Sequence, residues 1–149
     1  MKKLWIVGFL LVVLVVVASH DSAGTTSSAG LLGPAGSVGE FYRWYLDYIG
    51  DGDGMRNPLV NGAYRSSPHL SPQFVKQVDE LVAGFEGGGF DPFLMAQDVP
   101  AEIHVGEATV TDHTAVVPVT SSFPGHRFTV TLEEMSPGLW QITAIMPNR

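Results

Sequence analysis

An α+β domain, with helices gathered at its start and an antiparallel sheet at its end, is what the sequence predicts, on three observations. Apolar residues recur at three-to-four spacing up to about residue 85, and the period falls to two after Pro100. The breaks between the later segments, Asp112-His113, Phe123-Pro124-Gly125 and Ser136-Pro137-Gly138, are short enough to require antiparallel neighbours. Helices followed by a meander fit a layer architecture in which the helices cover one face of the sheet.

The first helix is expected from Ser37, which stands three positions before Glu40 in the capping-box arrangement, and ends near Gly50. Phe41, Trp44, Tyr45, Tyr48 and Ile49 form its apolar stripe and Tyr42 lies off it, exposed beside Arg43. Asp51 to Leu70 reads as a loop with one helical turn around Leu59 to Tyr64. A further helix starts at Ser71 as cap with Pro72 at its first position, buries Phe74, Val75, Val78, Leu81, Val82 and Phe85, and stops at Gly87-Gly88-Gly89. Four strands then span about Glu102–Thr111, Thr114–Ser121, His126–Glu134 and Leu139–Met146. Their alternation places Ala115, Val117, Val119, Phe128, Val130, Leu132, Trp140, Ile142 and Ala144 on one face. Trp140 is expected to pack beneath the first helix, near Tyr45 or Trp44.

The chain of 149 residues has room for one ordinary domain, and it contains no cysteine. Structural disulfides, thiolate chemistry, cysteine-type zinc sites and an acylated lipoprotein are thereby excluded. Past Lys2 and Lys3, six basic residues face 15 acidic ones and no two basic residues are adjacent. Nucleic acid and an anionic lipid surface are accordingly not expected partners.

Lys2 and Lys3 followed by apolar Leu4 to Ala18 read as an export signal over residues 1–18, cleaved near Ala18 or retained as an anchor. Residues 19–37, rich in Gly, Ser and Thr, read as a flexible tether, and residues 38–149 as a single α+β domain. The domain is expected outside the cytoplasm, secreted or held at the membrane only through that N-terminal helix.

Several segments resemble one bacterial family. They are Glu40-Phe41-Tyr42-Arg43-Trp44-Tyr45-Leu46, Asn57-Pro58-Leu59-Val60, Ala63-Tyr64-Arg65, Leu70-Ser71-Pro72-Gln73-Phe74, Asp91-Pro92-Phe93-Leu94-Met95-Ala96-Gln97-Asp98-Val99-Pro100 and Leu139-Trp140-Gln141-Ile142. Together they are similar to the domain of unknown function 3828 family, whose exported or lipid-anchored members look like nuclear transport factor 2-like proteins. The resemblance implies a cone in which helices pack on a curved antiparallel four-stranded sheet around an internal cavity, and it implies no activity. Members often carry cysteine at the position of Met95 and near the C-terminus. A family disulfide therefore has no counterpart here.

Five residues are candidates for ligand binding. Asp91 precedes a proline, which starts a turn, and with Gln97 and Asp98 it belongs to an acidic loop between helix and sheet, where a cavity mouth would lie. Phe93 and Leu94 would plug the core. Tyr64 and Arg65 place a guanidinium beside an aromatic ring, suited to a carboxylate from Asp91, from Asp98 or from a ligand. Asp51-Gly52-Asp53-Gly54 opens like a calcium loop but fails at Met55 and Gly62, so it reads as a turn and no metal is expected. The histidines lack metal spacing; His104 should face solvent, and either it or His126 forms a conceivable dyad with Asp98.

The expected function is a non-catalytic extracytoplasmic binding or accessory domain of the bacterial cell envelope, taking a small molecule or an envelope protein and needing no cofactor. The alternative is a small hydrolase or isomerase with Asp91 or Asp98 as general base and a histidine or Tyr64 as partner. A third reading is a structural spacer on a tether.

Overall fold

A computed structural model describes residues 32–50, 56–84 and 89–148. The expected export segment, most of the expected tether, the Asp51-Gly52-Asp53-Gly54 turn and Phe85 to Gly88 lie outside the described residues. Among the described residues no helix is long and apolar enough to cross a membrane.

The first helix, α1, spans Pro34–Gly50 and so begins before the expected Ser37. A proline fits the first helical turn because its missing N-H has no partner there and its φ is already helical. Ser37 donates its backbone N-H to the Gly33 carbonyl at 3.0 Å and is buried rather than capping. The folded domain thus reaches into the segment read as tether. The buried stripe is also rotated: Val38, Phe41, Tyr42 and Tyr45 are in the core, whereas Trp44 and Tyr48 are only half-buried. Tyr42, expected outside, donates its hydroxyl to the Phe93 carbonyl at 2.8 Å.

The short helix α2, Pro58–Asn61, is capped by Asn57, whose Oδ1 accepts from Leu59 N at 2.8 Å. A 3-10 turn over Ala63–Ser66 follows. Helix α3, Pro72–Ala83, starts as expected, with Ser71 Oγ accepting from Phe74 N at 3.2 Å.

The sheet holds β1 (Ile103–Val105), β2 (Thr109–Thr111), β3 (Thr114–Ser121), β4 (Arg127–Ser136) and β5 (Leu139–Pro147) in the order β1-β3-β4-β5, with β2 also on β3. All pairings are antiparallel. The single first strand expected over Glu102–Thr111 is split in two. Pro118 of β3 has no N-H to give the edge strand, and a Cβ on Gly106 would stand 2.9 Å from the Pro118 ring. Only Gly106 N to Pro118 O, at 2.8 Å, survives there.

Register shifts between Thr131/Leu132 and Glu134/Ser136 mark bulges that bend the sheet around the helices. The first one changes the parity of β5: Trp140 and Ile142 point inward as expected, but Ile145 rather than Ala144 continues the face. The β5 edge is covered by the segment before α3, for Ile142 N donates to His69 O at 2.8 Å and Ser71 N to Ile142 O at 3.0 Å.

Phe93 sits at the centre of the core. Its ring lies 5.3 to 6.0 Å from those of Phe41, Tyr45, Tyr64 and Phe74, so one loop residue joins α1, the 3-10 turn and α3. Trp140 is buried without joining that cluster; the ring neighbours of Trp44 and Tyr45 are Phe41, Tyr48, Phe93 and each other.

Candidate functional site

The acidic loop is built by Asp91 for its own closure. Asp91 Oδ1 accepts from Phe93 N at 2.8 Å and Leu94 N at 3.1 Å, while Oδ2 accepts from the Tyr45 hydroxyl at 2.6 Å. The Asp91 backbone N-H meets Ala96 O at 2.7 Å, and His126 Nε2 lies 2.9 Å from Met95 O. Met95 bends the chain with a left-handed φ of 52°. Burial holds the Asp91 carboxyl above the usual carboxylate range, against the lowering effect of these hydrogen bonds. Burial likewise pushes the Tyr45 hydroxyl far up, reinforced by the Asp91 charge. A raised carboxyl is one mark of a general base, yet both of its oxygens accept hydrogen bonds from the protein itself, and the neighbouring Phe93 and Leu94 are fully buried.

Tyr64 and Arg65 meet neither Asp91 nor Asp98. Their partner is Asp79 of α3: Arg65 Nε donates to Asp79 Oδ1 at 2.8 Å, and the Tyr64 hydroxyl donates to the same oxygen. The Arg65 guanidinium also lies 5.2 Å from the centre of the Tyr64 ring. The Tyr64 hydroxyl is pushed up to about 12, first by burial and then by its bond to Asp79. The same bond, followed by that from Arg65, holds Asp79 below its usual range. Asp79 escaped the sequence reading because an interior helical aspartate carries no motif; its 14-residue separation from Arg65 becomes contact only when the 3-10 turn lies along α3.

Gln97 and Asp98 are both exposed on the bend after the loop. Of the five candidates only Tyr64 and Arg65 are brought together. The conceivable His-Asp dyad with Asp98 is not formed: His126 Nδ1 lies 2.8 Å from Ser121 Oγ, and His104, exposed as expected, lies 3.5 Å from Glu102. Among the described residues no group of histidines and carboxylates can hold a metal ion.

Open volume lies instead along α1 and, in a hollow of about 510 Å³, between the start of α3 and strands β4 and β5. A groove of about 290 Å³ runs between α1 and the segment 63–69, walled by Glu40, Trp44, Ser66, Ser67, Pro68 and His69. Trp44 and Glu40 also border a second, shallower hollow of about 390 Å³ with Asp47 and Tyr48. A third, of about 570 Å³, separates Arg43 and Leu46 of α1 from β1. Arg43 pairs with Glu40 at 2.6 Å one helical turn away. Burial holds the His69 imidazole below its usual range, with the Glu40 charge opposing, which favours the neutral form. The missed signal is the Trp44 position: two stripes, centred on Trp44 or on Tyr42, satisfy the same helical spacing.

No family model matches the sequence, and no curated protein matches it. Among solved structures the fold is similar to a chain of the type VI native effector-immunity complex Tae3-Tai3 from Ralstonia pickettii, with a TM-score of 0.60 and 25% identity over 78% of this chain and 95% of that one.

Proposed function

We propose that this chain is an extracytoplasmic binding or accessory domain of the bacterial cell envelope that holds a protein partner on the outer side of α1. The observation that carries the reading is the division of labour in the molecule. The buried polar groups around Asp91 are consumed by internal hydrogen bonds, while two adjoining hollows on the outer side of α1 share a half-buried tryptophan, Trp44. Tryptophan is enriched at the energetic centres of protein interfaces, and a surface lacking an assembled acid-base pair suits recognition better than chemistry. That a similar fold occurs in a two-protein complex supports a protein partner over a small molecule. The hydrolase or isomerase alternative has no comparable support, because both oxygens of Asp91 already accept internal hydrogen bonds and Asp98 is exposed without an acid-base partner among the described residues.

We propose also that the chain is a member of the domain of unknown function 3828 family, and that its fold is a nuclear transport factor 2-like cone. Helices α1 and α3, packed against one antiparallel sheet that carries two bulges, support that reading. In such a cone the cavity would here be filled by Phe93.

The test is to use the full chain as bait against the envelope fraction of its host, identify the retained proteins and re-form each complex from purified components. A one-to-one complex with Kd below about 1 μM, corresponding to about −8 kcal/mol, is expected. Failure of every candidate to re-form a complex would overturn the reading.

A further inference from the structure

We infer that the groove between α1 and the segment 63–69 is a pocket for one basic side chain, arginine or lysine, presented by the protein partner. The inference rests on the protein-binding reading and names the chemistry of the contact. The groove's volume of about 290 Å³ lies at the lower limit of pockets that enclose a drug-sized ligand, so it suits a single side chain. Its walls match such a side chain part by part. Trp44 and Pro68 offer apolar surface to an alkyl stem, and the indole face attracts a cation. Ser66 and Ser67 offer hydroxyl oxygens, and Glu40 supplies a carboxylate.

Charge decides the sign of the occupant. Among the described residues Glu40 is the one acidic side chain lining this groove and no lysine or arginine lines it, while burial favours the neutral form of His69. An acidic chain with formal charge −7 also draws a basic partner toward it. Arg43 marks the chemistry already, since its guanidinium binds Glu40 Oε1 from outside the groove and leaves Oε2 unengaged by it. That internal pair is solvent-exposed and therefore weak, so a partner's cation backed by Trp44 can compete with it.

The test uses the full chain labelled at its tryptophan indole nitrogens, with the Trp44 resonance assigned through Trp44→Phe. The probes are the N-acetyl methylamides of arginine, lysine and norleucine. The arginine probe is expected to shift the Trp44 indole resonance saturably in the millimolar range, the lysine probe less, and the norleucine probe not at all. Glu40→Gln should weaken the arginine probe about fivefold, and Arg43→Ala should tighten it about twofold by freeing the carboxylate. An equal response to norleucine, indifference to Glu40→Gln or the absence of a saturable shift would each overturn the pocket. A partner complex that re-forms while arginine leaves Trp44 undisturbed removes the pocket and keeps the protein-binding reading; a selective arginine response with no re-formable complex does the reverse.

Discussion

Asp91 and Asp79 each accept a tyrosine hydroxyl, yet their carboxyls are displaced in opposite directions. Asp91 lies inside, where desolvation outweighs three hydrogen bonds and raises it. Asp79 is half-exposed, and there the bonds from Tyr64 and Arg65 outweigh desolvation and lower it. The two clusters differ both in desolvation and in charge: Asp91 meets only neutral donors, whereas Asp79 also has the Arg65 guanidinium beside it. The interior cluster ties a loop into the core, and the surface cluster orients groups that remain accessible.

The largest test of this contrast removes the interior plug. Phe93→Ala deletes the ring on which four other aromatic rings converge and leaves a cavity, at a cost of about 3–5 kcal/mol. Total stability for such a domain is on the order of 5–15 kcal/mol, so urea unfolding should begin at much lower denaturant. A midpoint close to wild type would mean that the loop is not part of the core.

Asp91→Ala comes next, at about 2–4 kcal/mol, because two backbone N-H groups and the Tyr45 hydroxyl lose their acceptor in a partly buried setting. Asp91→Asn keeps the shape and separates charge from geometry. A folded carboxyl raised above its unfolded value of 3.8 contributes stability that is present below pH 3.8 and lost as pH rises through the folded value. Relative to Asp91→Asn, wild type should therefore lose stability between pH 3.8 and neutrality. A difference that stays flat in stability measured across that interval would contradict the raised carboxyl.

At the boundary between the two regions stands Gly62, with φ 75°, where a Cβ would collide with the Arg65 guanidinium. Gly62→Ala meets both the left-handed backbone penalty and that collision, for about 1–2 kcal/mol by thermal unfolding. If the cost arises from backbone alone, Arg65→Ala in the same chain will not relieve it.

The interior was legible in the sequence where its signals are local. Ser71-Pro72 and Asp91-Pro92 each fix a cap or turn within four residues, and the structure places both as their spacing implied, whereas Asn57 caps α2 without having been read as a cap. What failed to read depended on distance. The spacing of α1 permits either Tyr42 or Trp44 to face the core, and only the sheet chooses. The bulge in β5 that promotes Ile145 over Ala144 has no glycine or proline to announce it. Arg65 had three acidic residues to choose among once Asp79 is counted, and chain order does not rank them. The candidate site suffered most, because a surface groove is made of residues that look like core or loop until the neighbouring element is in place.

The smallest effect expected is that of Arg65→Ala, and it bears on why Asp79 is lowered. The ion pair is solvent-exposed, so melting at neutral pH should move by no more than about 3 °C. Asp79 owes its lowered carboxyl first to the Tyr64 hydroxyl and only then to Arg65. A carboxyl lowered in the folded state contributes stability above its unfolded value of 3.8 and loses it as pH falls through the folded value. Replacing Arg65 should therefore weaken the acid limb slightly, and Tyr64→Phe should weaken it more even though it leaves the guanidinium in place. Titration of the Asp79 carboxyl followed by NMR in the two variants reads the order directly. A larger rise in Arg65→Ala than in Tyr64→Phe would make the surface cluster a charge pair with a tyrosine beside it, and its resemblance to the Asp91-Tyr45 pair inside would then be one of composition alone.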